Sequence, residues 1–296
     1  MNALLSAVAS GHLTLWVVPA VMAITCSALG RHVPKPALVA LAAAGVVVPL
    51  AQSLGCAALL MWTAGPAPEA LTLRLGDGSE RFMLVFRPDA VGCWAAALAS
   101  LLCLGAMVQA LQVAGAWIGR HRYLALLLLL LASANLMFLS GSMMVFIFAW
   151  EAVALSGAFL AGFWEAEVGR ERTGMRWLVF QHVATVCLVV AWLISEVAPS
   201  VAAAFTVSAL ALRFGMVPVH GWIAEQSNAP SSAMVAVQSV ASVLVGLVAM
   251  HKLFPLLKQG EFGFTDLLAA LSMATVVAVA AAAWPRQRLS RALALL

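Results

Sequence analysis

Long apolar runs separated by short polar stretches dominate the chain. Nine of them approach or exceed the length an α-helix needs to cross a bilayer, about 20 residues. They cover 13–29, 36–62, 89–115, 122–140, 142–164, 176–196, 201–217, 232–254 and 266–284. The stretch Leu71 to Phe86 is different: apolar and polar positions alternate on both sides of Gly76-Asp77-Gly78-Ser79. That pattern predicts a β-hairpin with a glycine-rich turn, bracing helices or touching a neighbouring subunit; the other reading is an irregular loop. The expected fold is therefore an all-α membrane protein with about nine transmembrane helices, one of them broken, and an external β-hairpin.

Composition agrees. Of 296 residues, 64% are hydrophobic and 9% charged, whereas a soluble domain carries about 25% charged residues. No soluble core could bury this much apolar surface. The net charge of +4 is not a nucleic-acid signal, because the basic residues lie in short loops and at helix ends rather than on one face. They sort by side instead. Arg31, Lys35, Arg120, Arg122, Arg170, Arg172, Arg176, Arg286, Arg288 and Arg291 fall on one side, and Arg74, Arg81, Arg87, Lys252 and Lys258 on the other. Basic residues accumulate on the inner side of a membrane, so the N-terminus is expected outside and the C-terminus inside. Residues 13–29 lack a preceding basic region and read as a first spanning helix rather than a signal peptide. Cys26, Cys56, Cys93, Cys103 and Cys187 lie in apolar segments without metal-ligand spacing, so no metal site or cofactor is expected on this chain.

Four polar positions within the spans carry the candidate chemistry. Glu151 lies near the middle of 142–164, where an ionised carboxylate costs several kcal/mol without a partner or a hydrated cavity. Arg213 precedes Gly215 and Pro218, a glycine–proline cluster that marks a helix break; freed backbone groups there must be buried in protein or line a cavity. Its other reading is an arginine snorkelling from a helix end. His182 titrates near neutral pH and suits a proton relay, or is an interfacial or core histidine. Gln238 can hold an ordered water beside Ser239 and Ser242, or join helices through hydrogen bonds.

These residues sit in motifs that carry a resemblance. Trp150 to Phe163 reads WE-x-V-x-L-S followed by G-F after a five-residue gap. Pro218 to Gly246 reads PVHGWIAEQSNAPSSAMVAVQSVASVLVG. FRPDAVG begins the third segment, with Asp89, and RQRLSRALAL lies near the end. Together, collinear over about 70–296, they resemble the antiporter-like, proton-translocating subunits of NADH:quinone oxidoreductase. The same family includes multi-subunit Na⁺/H⁺ antiporters, membrane-bound hydrogenases and the DAB-type inorganic-carbon uptake systems.

The resemblance implies a role for each position. Glu151 matches the family's mid-membrane glutamate. Arg213 falls on its broken-helix lysine, but arginine stays protonated at ordinary pH. Gln238 replaces a histidine; His182 and Thr185 stand where some members have arginine and aspartate. Proton chemistry is thus matched only in part. Members also carry two inverted five-helix repeats, which implies N-terminal helices and hairpin over 1–120, a first repeat over 121–260 and an incomplete second over 261–296. This chain would be a fragment or a short member.

The implied function is translocation of protons, or coupling to proton or Na⁺ flow, beside other membrane subunits in a bacterial inner membrane. No redox centre is implied on this chain, even if the whole complex is an enzyme. Two alternatives stand beside it: a proton-coupled subunit for inorganic-carbon uptake, and a non-conducting structural subunit.

Overall fold

The computed structural model describes residues 13–62, 71–74, 83–113, 119–163, 171–225, 231–258 and 263–283. The hairpin turn, Arg81, Trp164, Arg170, 226–230 and the RQRLSRALAL stretch lie outside the described residues. The helices are α1 (Thr14–Leu29), α2 (Lys35–Trp62), α3 (Ala90–Val113), α4 (Arg120–Phe138), α5 (Met143–Ala161), α6 (Glu171–Ile194), α7 (Pro199–Phe214), the one-turn α8 (Gly221–Glu225), α9 (231–258) and α10 (Phe264–Ala283). Between α2 and α3 lie strands β1 (Leu71–Arg74) and β2 (Met83–Phe86).

Each of the nine apolar runs holds a helix, but they are not equivalent. Seven are long and apolar enough to cross a membrane; Thr14–Leu29 and Pro199–Phe214 are shorter. A 16-residue helix such as α7 extends about 24 Å, less than the hydrocarbon thickness of about 30 Å. The chain is an all-α integral membrane protein. Ile24, Met61, Phe148, Phe159 and Met273 face outward and exposed, the surface expected where hydrocarbon or other apolar protein replaces water.

Helix α4 is the hub, packing on α1, α2, α3, α5 and α9. Its Asn135 donates from Nδ2 to the Leu15 carbonyl at 2.8 Å, joining α4 to α1 in the interior. The strands pair antiparallel, from Leu71 opposite Phe86 to Arg74 opposite Met83. β2 then grips the α4–α5 turn. The Gly141 N–H donates to the Val85 carbonyl at 2.7 Å and the Arg87 N–H to that of Leu139 at 2.8 Å. Ser142 caps α5 by accepting from the Val145 N–H, and its hydroxyl also accepts from the Val85 N–H at 3.3 Å. A third tie comes from α9. Lys252 Nζ donates to the Ser140 carbonyl at 2.7 Å and to Asp89 Oδ2 at 3.3 Å, while Asp89 Oδ1 accepts from the Gly92 N–H at the start of α3. The start of α5, and so the height of Glu151, is held from three directions.

The far end of α5 is set by close backbone approach to α6. A Cβ on Gly174 would sit 2.5 Å from the Ala158 carbonyl oxygen and 2.9 Å from the Gly162 Cα. Small residues permit this contact. Gly174→Leu is expected to destabilise the protein by about 1–3 kcal/mol, the cost of overpacking. Thermal unfolding in detergent checks this, with Gly105→Leu as control because a Cβ there meets nothing within 4 Å. Equal midpoints for the two variants would refute the contact.

The Gly215–Pro218 region does break the helical run. α7 stops at Phe214, and Gly215 adopts a left-handed φ of 61°, a conformation open to glycine at little cost. The Met216 N–H returns to the Ala211 carbonyl at 2.8 Å and the Gly215 N–H to that of Leu212 at 3.3 Å, completing a Schellman cap. The freed Val217 N–H finds Thr275 Oγ1 of α10 at 3.0 Å. Residues 216–220 link α7 to α8. A second irregularity was not legible beforehand: Val237–Leu244 of α9 is a π-helix, an arrangement that is rare and often marks functional positions. Gln238 lies in it.

Candidate functional site: a carboxylate, an imidazole and a buried guanidinium

Glu151 is the ninth of 19 residues in α5. Both of its oxygens are engaged by α6. His182 Nδ1 lies 2.8 Å from Oε1, and the Thr185 hydroxyl donates to Oε2 at 2.5 Å. Thr185 Oγ1 also lies 3.0 Å from the Gln181 main-chain carbonyl. A hydroxyl has one proton to give. An ionised Glu151 claims it; a protonated Glu151 can donate to Thr185 and free that hydroxyl for the carbonyl. The threonine therefore accommodates either charge state.

The apolar run 176–196 begins only six residues before His182. The helix begins earlier, at Glu171, and places His182 twelfth of 24 residues. The buried stripe of α6 runs through Gly174, Trp177, Gln181, Ala184, Thr185 and Leu188, at spacings of three and four. His182 falls off that stripe. Its side chain is 63% exposed, against 23% for Glu151, so the pair opens on the outer wall of α5 and α6, among Phe148, Leu155, Val179 and Val186.

Arg213 lies on the inner side of the same pair of helices. It is the next-to-last residue of α7, where the negative end of the helix dipole favours a cation. Its exposure is 0%, so it does not snorkel outward. The guanidinium carbon stands 4.6 Å from the centroid of the Trp150 ring, and Nη1 donates to Gln181 Oε1 at 2.9 Å. Arg213 Nε and Nη2, Gln181 Nε2 and Trp150 Nε1 have no hydrogen-bond partner among the described residues. One charge-assisted bond and one cation–π contact, worth about 2 kcal/mol each when desolvated, do not repay the several kcal/mol of burying such a cation.

Arg213 and Glu151 do not form a direct ion pair among the described residues. Trp150 and Gln181, which contact Arg213, are the chain neighbours of Glu151 and His182. These two were missed as site residues. The spacing of Gln181 to Thr185 on one α6 face was readable; the stacking of Arg213 on Trp150 was not. Gln238 sits on the π-helical turn of α9, which packs on α3, α4, α5 and α7. No group of three or more His, Cys, Asp or Glu gathers among the described residues.

This arrangement sits on a fold with known counterparts. No protein-family model and no curated protein matches the chain. Solved structures do. A chain of the membrane-bound sulfane sulfur reductase, an archaeal respiratory membrane complex, superposes with a TM-score of 0.78 at 18% identity, covering 96% of this chain and 61% of that one. A chain of respiratory complex I from Thermus thermophilus with bound aureothin gives 0.71 at 17% identity, over 95% of this chain and 61% of that one. At this identity the respiratory-subunit fold is what is shared. It accords with the resemblance to antiporter-like subunits of NADH:quinone oxidoreductase, and the present chain spans less than two thirds of each counterpart. Both counterparts are chains of respiratory complexes.

Proposed function

We propose that this chain is a proton-translocating membrane subunit of a complex related to NADH:quinone oxidoreductase, with residues 121–260 forming the repeat that carries the site. The observation that carries the reading is the Glu151 cluster: a mid-helix carboxylate bonded to a titratable imidazole, with a buried guanidinium held by Gln181, the chain neighbour of that histidine. Glu151 is the proton carrier and His182 its exchange partner on the outer wall. Arg213 never releases its proton at ordinary pH; it acts through its field. Moving Arg213 toward Glu151 favours the carboxylate and proton release; moving it away favours uptake. Gln181 sets that distance. In the N-out topology the site lies at mid-depth of a bacterial inner membrane.

The test is proton flux into vesicles carrying the assembled complex, wild type against Glu151→Gln. Thr185→Val adds a finer probe. It removes a hydrogen bond to a charged group and is expected to lower flux about tenfold or more, while Thr185→Ser retains it. Equal flux in all three Thr185 forms would remove the hydroxyl from the mechanism.

One observation favours a second reading. A glutamine and an arginine stand where the resembled family has a histidine and a lysine, leaving fewer groups that change charge. This suits a subunit that couples proton flow to work by a partner, as in inorganic-carbon uptake. Co-purification of a large soluble partner rather than quinone-linked redox subunits would favour it.

A further inference from the structure

A groove of about 430 Å³ runs between α6 and α8, away from Glu151. Its base is apolar, formed by Val179, Phe180 and Trp222, with Met175 on its margin. Its upper edge is cationic: Arg172 and Arg176 both line it. Four residues apart on a helix, they share one face. Like charges at this spacing repel, and Arg172 lies in the first turn of α6, where the positive end of the helix dipole disfavours cations. Glu171 supplies one acidic group in that turn.

Trp222 at the base of the groove is itself held rigidly. Trp222 is 2% exposed, and its Nε1 has no hydrogen-bond partner among the described residues. Its ring is held edge-on against Trp177, with centroids 5.0 Å apart, and beside Phe180. A rigid indole, apolar walls and two arginines at the end of a spanning helix together describe an amphiphile's outline. The charge that complements two arginines is a phosphate, which their planar forks bind in bidentate fashion. The surface beneath takes hydrocarbon. A free anion would leave that apolar floor uncovered.

We propose that the groove between α6 and α8 binds one anionic phospholipid, its phosphate on Arg172 and Arg176 and an acyl chain along Val179, Phe180 and Trp222. Basic pockets beside membrane helices take anionic headgroups on the same principle. The inference needs only the membrane fold and is independent of proton translocation.

The experiment is native mass spectrometry of the full, purified chain, stripped of lipid and titrated with phosphatidylglycerol or phosphatidylcholine. The wild type is expected to retain one phosphatidylglycerol in preference to phosphatidylcholine. Arg172→Gln/Arg176→Gln is expected to weaken retention by roughly tenfold or more. Arg31→Gln/Lys35→Gln, with the same loss of charge elsewhere, should bind as the wild type does. Gly221→Leu provides an uncharged test. A Cβ at Gly221 meets nothing within 4 Å, so the leucine has room and fills the groove, displacing the acyl chain while helix content by circular dichroism is kept. Equal retention of the two lipids by the wild type overturns the proposal. So does unchanged retention by both groove variants. Displacement of phosphatidylglycerol by inorganic phosphate would make this a soluble-anion site and overturn it too.

Discussion

Glu151→Gln in the assembled complex is expected to cut proton flux by roughly 10²-fold or more, the usual scale for losing a positioned acid–base group. Assembly should survive, because the amide replaces the carboxylate almost atom for atom. Its oxygen accepts from Thr185 as Oε2 does at 2.5 Å, and its NH₂ can donate to a neutral His182 where Oε1 now lies 2.8 Å from Nδ1. What is lost is the ability to change charge. Flux and co-purification must be measured on the same preparation. Loss of flux with the complex intact supports proton passage through Glu151. Wild-type flux in the variant would end that reading and leave a structural subunit. Counting Na⁺ in parallel separates the two candidate ions.

Arg213→Met is expected to abolish flux while leaving thermal stability unchanged or raised. The guanidinium is fully buried, and two of its three nitrogens lack a partner among the described residues. Replacing a poorly compensated buried charge with an apolar side chain of similar length is often neutral or stabilising by about 1–4 kcal/mol. In a chain of this size each kcal/mol raises the unfolding midpoint by roughly 2–4 °C. Methionine can still pack on Trp150, whose ring now lies under the charge at 4.6 Å. The variant does leave Gln181 Oε1 without its donor, which trims the gain by about 1–3 kcal/mol. Arg213→Lys restores a cation and, unlike arginine, one that can release its proton when desolvated; part of the flux should return. A fall in midpoint by more than about 10 °C for Arg213→Met would show that the charge holds α6 and α7 together instead.

Both predictions depend on a separation rather than a contact. In the proposed mechanism a movement of α7, which carries Arg213, would change the field at Glu151. Helix α7 brings Arg213 to that position. It is a short helix ending in a left-handed glycine, and beyond it Val217 is tied by one hydrogen bond to α10.

How much of this was legible in the residues depends on the range over which each feature is decided. The apolar runs determined the membrane class and the helices, because in hydrocarbon every backbone group must be satisfied within its own segment. The glycine at 215 determined the break for the same local reason. Alternation over Leu71 to Phe86 pointed to strands, and those described pair antiparallel. Glu151 announced itself through the cost of a charge in an apolar run.

The tertiary structure decided the rest. That His182, not Arg213, touches Glu151 follows from how α5 and α6 are rotated about their Gly162–Gly174 contact. No periodicity contains that angle. Lys252, read from the sequence only as a loop-side charge, proved to be a strut between α9, Asp89 and Ser140, across more than 100 residues of chain. The π-helical turn at Gln238 arises where α9 threads between α3, α4, α5 and α7. Sequence determines what each segment must hide; only packing determines from whom.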